Sequence, residues 1–377
     1  MLKRYLRILT ACWQTFGLSK DFVAWLLIIP LFGLFTRITL ALDILFFPDY
    51  RQTKIQRPIF IIGHPRSGTT FLHNLLTQTD EFVTFDTWHM FFPALSARKL
   101  IKPLIDNAIK KGKATLLPAE IGHKVALDQP EEEEFIFIHT LDTLLLNVMT
   151  PLAFRDQGEG AQYCHDQHPE SRRRHSIRFF KQCLQRQVYY TGKQRVIAKP
   201  NYSVYRLKTL MAAFPDAKFI YLVRSPHKTL PSYFSLHRNM FDHQWGLNNL
   251  SDDLLKKYFA QKYHQSLNLY HYFYELQQNQ EIPPEQVMIL KSDFLYAQPQ
   301  QAFEQIAAFT DLNPNVRLKQ AVAQQAQEPY QSRHAVLSLQ AFGLTPEQIN
   351  RDFSFVFDTY GLERPNVDLT VSSHLKS

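Results

Sequence analysis

The segment Gly63-His64-Pro65-Arg66-Ser67-Gly68-Thr69-Thr70 places two glycines and three hydroxyl side chains directly after an apolar run. This is the glycine spacing of a nucleotide-binding P-loop, whose backbone N–H groups and following helix cradle an anion. Thr69 stands where that motif requires lysine. The group that reaches the outer phosphates of a nucleoside triphosphate is therefore missing, which disfavours ATP or GTP hydrolysis. Arg66 restores positive charge from within the loop, and Ser67, Gly68, Thr69 and Thr70 supply the other anion contacts. Alone, the loop also fits an ordinary strand-to-helix turn.

A second set of residues suits a second anion. Arg224 falls just beyond the apolar run Phe219 to Val223, and Ser232 follows where a loop can lead into a helix. A guanidinium offers planar, multi-donor recognition of a phosphate, and a serine hydroxyl adds a donor. In isolation the pair would read as a surface ion pair and a polar cap. Beside the first loop it specifies a second phosphate.

Both sets need elements to position them. Pro58 to Gly63, Val196 to Ala198, Phe219 to Val223 and Val287 to Leu290 are short, continuously apolar runs, and helical periodicity appears from Phe71 to Leu76. Buried strands alternating with helices imply an α/β fold, P-loop NTPase-like and three-layered, with a central parallel sheet that binds ligands at its strands' carboxyl ends. A 45% hydrophobic composition with 30 Phe and 17 Tyr excludes a disordered chain. The formal charge of +8 favours a nucleic acid, an anionic membrane surface or a polyanionic small ligand without choosing among them. The expected organisation is an apolar helical extension over 1–56, one domain over 57–363 with helical insertions, and a tail over 364–377.

The extension is ambiguous. Phe22 to Thr36 is apolar but interrupted by Pro30 and Gly33, and Arg37 ends it at about 15 residues, short of the roughly 20 that span a bilayer. Ile38 to Phe47 follows with Asp43 inside it, and Lys3, Arg4, Arg7 and Lys20 precede both runs. Two readings stay open: helices packed on the core, or an anchor lying in the membrane interface over residues 22–47. Cys12, Cys164 and Cys183 are odd in number and lack metal or disulfide spacing, so a cytoplasmic setting is expected, peripheral on the inner face of a membrane if the anchor reading holds.

From about residue 57 to 363 the chain resembles the sulfotransferases that use 3′-phosphoadenosine 5′-phosphosulfate (PAPS), particularly their bacterial and Golgi-type branches. PRSGTT at 65–70 looks like the 5′-phosphosulfate loop, and Arg224 with Ser232 looks like the 3′-phosphate site. Pro130 to Phe135, Lys199-Pro200-Asn201 and the segment Tyr330 to Leu344 are similar to further motifs of that branch. The resemblance implies in-line sulfuryl transfer to an acceptor hydroxyl or amine, leaving 3′,5′-ADP (PAP), with Arg66 and Lys199 stabilising charge.

An acceptor must also lose a proton, and the sequence offers several bases. His89 follows the first helix at about the distance where related enzymes place a catalytic acid residue, with Asp86 beside it. Glu132 and Glu134 lie in the acidic run, which also reads as the first turn of a helix after Pro130. His64 and His123 are further candidates. No metal-ligand spacing occurs, and no metal is expected. A P-loop kinase remains as an alternative. So does a nucleic-acid-binding protein using Arg172-Arg173-Arg174, although that run reads as the solvated face of an amphipathic helix and no nucleic-acid partner is expected. The aromatic-rich region at about 85–190 suggests a small-molecule, lipid or glycan acceptor, preferably apolar.

Overall fold

The computed structural model describes residues 2–78, 82–155, 164–327 and 336–365. Part of the segment Tyr330 to Leu344 and most of the C-terminal tail lie outside the described residues. The strands are β1 (Ile59–Gly63), β2 (Phe82–Val83), β3 (Thr115–Leu117), β4 (Val125–Ala126), β5 (Arg195–Ala198), β6 (Lys218–Val223) and β7 (Val287–Lys291). The helices that bear on the site are α1 (Leu2–Phe16), α2 (Lys20–Phe46), α3 (Thr69–Leu76), α4 (Thr87–Phe91), α5 (Leu95–Lys110), α6 (Glu170–Thr191), α7 (Pro226–Trp245) and α8 (Asp252–Gln278).

Five strands form a parallel sheet in the order β2-β5-β1-β6-β7, while β3 and β4 pair separately as an antiparallel hairpin. The continuous apolar runs are buried on both faces, as a covered parallel sheet requires. Alternate side chains divide between two cores. Phe60, Ile62, Phe219 and Tyr221 pack with Phe180 and Leu184 of α6 and Phe273 of α8, where the Tyr221 and Phe273 rings stack 3.5 Å apart. Ile59, Ile61, Ile220 and Leu222 pack on the opposite face with Leu72, Leu75 and Leu76 of α3. This is the expected three-layer α/β arrangement.

The register sets the site. Phe60 aligns with Ala198 and Phe219, and Gly63 aligns with Leu222, so the residues following β5, β1 and β6 emerge on one edge. The chain runs from β1 outward to one side and from β6 to β7 on the other, which opens a crevice at their carboxyl ends.

The N-terminal extension corrects one expectation. Pro30 and Gly33 do not interrupt it, because Lys20–Phe46 is one 27-residue helix, long and apolar enough to cross a bilayer by length and composition. Pro30 cannot return an N–H to the preceding turn, and that turn is widened: the Ile29 N–H reaches back five residues to Ala24 O. The extension packs on the body of the protein. Ile8, Ala11 and Cys12 of α1 bury against Leu146 and Leu152, and the Asp21 carboxylate accepts from Trp245 Nε1 at 2.7 Å. Asp43 points inward and is fully buried, accepting from Arg186 Nε at 2.7 Å and from the Leu95 and Ser96 N–H groups at 2.9 and 2.8 Å. It thereby caps α5 and ties α2 to α6.

Candidate functional site

The loop after β1 adopts a conformation that its sequence alone makes accessible. Gly63 has φ 152°, and a Cβ there would lie 2.5 Å from Leu222 O, so the loop leaves β1 against β6 only without a side chain. Gly68, at φ 96°, precedes α3 and lies against the Tyr296 hydroxyl. Ser292 Oγ donates to Ser67 O and to Val223 O, the latter at 3.1 Å, which clamps the loop onto the β6 end. Thr69 and Thr70 open α3, whose first-turn N–H groups have no carbonyl partners within the helix.

The two predicted anion motifs meet. Arg66 Nε donates to Ser232 Oγ at 3.0 Å, and Arg224 Nη1 donates to Arg66 O at 2.8 Å. Arg66 holds a left-handed φ of 73°, a conformation costing about 1 kcal/mol that tends to persist where the surroundings require it. Arg224 also lies over the Tyr296 ring. Arg224 Nε and Ser67 Oγ are buried with no hydrogen-bond partner among the described residues. Orphaned donors beside two arginines fit an anionic ligand.

Lys199, at the end of β5, is almost fully buried. Its Nζ donates to Thr70 Oγ1 at 2.8 Å and lies 3.7 Å from Glu131 and 3.8 Å from Glu132. Glu133 and Glu134 do open a short 3-10 helix over Glu133–Thr140, and the acidic run there is packed inward around Lys199. Burial raises Glu131, but His123, Lys199 and the hydrogen bonds from His123 and the Glu132 N–H outweigh it and hold the carboxyl near 2. His123 Nε2 lies 3.0 Å from Glu131, and the preceding Gly122 O accepts from Arg66 Nη1 at 3.5 Å. Glu132 is partly exposed, accepts from Asn201 Nδ2 at 2.5 Å, and is raised chiefly by burial. Glu133 accepts the Lys199 backbone N–H at 2.6 Å and is pushed up to about 8 by burial. Glu134 is fully buried, accepting from Ser203 Oγ at 2.8 Å and facing Arg206 at 3.6 Å. Those partners hold Glu134 in an internal network with Ser203 and Arg206.

His89 has its own set of local partners. Its Nδ1 accepts from the Asp86 N–H at 3.2 Å in a capping box at α4, and its ring packs on Trp88 and Tyr190. Burial, Arg98 and Lys102 push it down to about 2. A local capping role answers for the spacing that suggested a catalytic position. His64 is held between Pro65 O and Ser266 Oγ and stacked on Tyr270, with burial lowering it to about 4. Sequence reasoning passed over His73, buried one turn after Thr70 and pushed down to about 3 by burial and Lys199. Its signal was the spacing that puts it on the Thr70 face of α3.

Among the described residues, Asp142, His165 and His168 bring metal-ligand atoms within 4.8 Å of one another. Arg172 donates twice to Asp142 Oδ1, at 2.9 and 2.5 Å, and Arg4 lies 3.5 Å away, so guanidinium charge already occupies that carboxylate. Arg173 folds back onto His168 O. Arg172 and Arg173 thus hold local partners, while Arg172 at 40% and Arg174 at 67% side-chain exposure keep the run solvated.

A parallel α/β sheet with a glycine loop and an arginine at one carboxyl edge defines a P-loop-like α/β protein. A sequence model of the sulfotransferase family matches residues 58–315, and the chain belongs to that family. Omega-hydroxy-beta-dihydromenaquinone-9 sulfotransferases of Mycobacterium bovis and Mycobacterium tuberculosis are each 29% identical to it over 189 residues, covering 49% of this chain and 46% of theirs. The chain thus spans about half the length of the curated relatives it matches. Among solved structures, sulfotransferase STF1 of Mycobacterium tuberculosis superposes with a TM-score of 0.67 at 18% identity, covering 94% of this chain and 92% of that one. Sulfotransferase STF9 of Mycobacterium avium gives 0.70 at 20% identity, over 88% and 83%. These two share the fold.

Proposed function

We propose that the protein transfers a sulfuryl group from PAPS to an acceptor hydroxyl, releasing 3′,5′-ADP. The observation that carries this is the joining of Arg66, Arg224 and Ser232 into one donor surface around the buried, unpartnered Arg224 Nε and Ser67 Oγ. In this reading Ser67, Gly68, Thr69 and Thr70 receive the 5′ end, while Arg224 and Ser232 receive the 3′-phosphate. The S–O bond to the 5′-phosphate breaks as the bond to the acceptor oxygen forms. Lys199 and Arg66 stabilise the charge left on the departing phosphate. Glu132 takes the acceptor proton: it is partly exposed, 3.8 Å from Lys199, and its raised affinity for protons suits a base. The relatives named for an ω-hydroxylated menaquinone support an apolar, hydroxyl-bearing lipid as the acceptor class. The three buried free cysteines accord with a reducing, cytoplasmic setting.

Calorimetric titration with 3′,5′-ADP, with ATP and 5′-AMP as controls in metal-free buffer, tests the donor assignment. Micromolar binding of 3′,5′-ADP alone is expected. Preference for ATP would replace this reading with phosphoryl transfer, and transfer of labelled sulfate only to soluble polysaccharides would overturn the lipid class.

A further inference from the structure

Helix α2 is built inside out for a protein surrounded by water. Thr36, Thr39 and Asp43, spaced three and four residues apart, form its buried face. Leu27, Leu31, Leu34, Ile38 and Leu45 share the opposite face and are 55, 66, 53, 52 and 71% exposed. A helix that turns Thr36, Thr39 and Asp43 inward and presents a leucine stripe outward, with Arg37 exposed at its flank, has an apolar medium on that side. The stripe extends about 27 Å along the helix, taking 18 residues at 1.5 Å each.

The helix beside it carries a complementary signal. α5 packs along α2 and exposes Leu100 and Leu104 at 62 and 63%. From Leu95 to Lys113 the chain has five lysines besides the buried Arg98, and one acid, Asp106, which is ion-paired with Lys102 at 2.7 Å. Exposed leucines among lysines suit a hydrocarbon boundary bearing anionic headgroups. A spanning orientation conflicts with the packing of α2 on the body: Asp21 near one end is held by Trp245, Asp43 near the other by Arg186, and α5 lies along the helix between them.

We propose that α2, with α5 beside it, docks on an anionic bilayer, the α2 axis lying in the plane of one leaflet. This does not depend on the catalytic reading. The test is flotation of the full chain with vesicles of phosphatidylcholine alone or with one third phosphatidylglycerol. The native protein is expected to float with the anionic vesicles and less with the neutral ones. Leu31→Glu with Leu34→Glu, both at exposed positions, should lower the bound fraction at least about tenfold while leaving far-ultraviolet circular dichroism and the urea midpoint unchanged. Lys110→Glu, Lys111→Glu and Lys113→Glu together should abolish the preference for anionic vesicles. Failure of the native chain to float with either vesicle, or equal flotation of the double leucine variant, would overturn the proposal. So would a concentration-dependent dimer dissolved by that variant, because a second copy would then cover the stripe.

Discussion

Arg66→Ala separates a ligand-binding role from a folding role. The side chain's contacts include two neutral ones, to Ser232 Oγ at 3.0 Å and Gly122 O at 3.5 Å. Losing such contacts costs the fold about 1 kcal/mol. Alanine bears the left-handed φ of 73° no better than arginine, so backbone strain does not change. A bound anion loses more, because a hydrogen bond to a charged group contributes about 1.5–3 kcal/mol, or roughly 10- to 150-fold in affinity. Calorimetry should therefore find 3′,5′-ADP binding weaker by that factor, with a nearly unchanged urea midpoint. Ser232→Ala removes one hydroxyl and should cost about 0.5–1.5 kcal/mol. Since Ser232 holds the Arg66 guanidinium, the double variant should lose less than the sum, by about 0.5–1 kcal/mol. Affinity within twofold of native for Arg66→Ala would remove this arginine from the donor surface. Strict additivity would sever it from Ser232.

Further consequences are open to measurement. Glu132→Gln should lower turnover roughly 100-fold or more with 3′,5′-ADP affinity retained, and normal turnover would move the base elsewhere. His89→Ala should cost about 1 kcal/mol of stability while turnover stays within a few-fold; a collapse of turnover would refute its capping role. Glu133 has a folded pKa near 8, above its unfolded value, so its contribution is full at acid pH and is lost as pH rises through the window up to about 8. Glu133→Gln should flatten that slope and leave the variant more stable than native at pH 8 by a few kcal/mol on the order of magnitude, read from urea midpoints at pH 5 and 8. Asp43→Ala leaves Arg186 buried and unpaired and should cost about 3–5 kcal/mol, much of it recovered in Asp43→Ala with Arg186→Met; equal losses in both would refute the tether.

The four long strands were legible because a strand covered on both faces must be apolar throughout, although runs of equal or greater length, such as Phe135 to Ile138 and Phe22 to Ile29, are helical. β2 was not, since two residues, Phe82 and Val83, carry no periodicity. The continuity of α2 was hidden for a different reason: Pro30 usually ends a helix, and the widened turn that absorbs it has no signature in residue type. In the site, Arg66, Lys199 and Arg224 were readable as strand-end cations, and the register brings them to one edge. For His89 and Glu134 sequence shows residue type but not partners; one caps α4 and the other pairs with Ser203 and Arg206. Glu131 and His73 show the converse. The fold brings Glu131 within 3.7 Å of Lys199 and puts His73 under the charge of Lys199, across long stretches of chain.

The clamp from Ser292 onto Ser67 also dictates when the site can exist. The loop is synthesised early, yet it is fastened by a hydroxyl 225 residues later in the chain. Such a long closure is made late in folding, after the costly ordering of the segments between. A nascent chain lacking β7 would hold the glycine loop without its fastening. A donor that binds only the closed arrangement would stabilise it in proportion to its concentration, making nucleotide supply a determinant of how much of the chain matures.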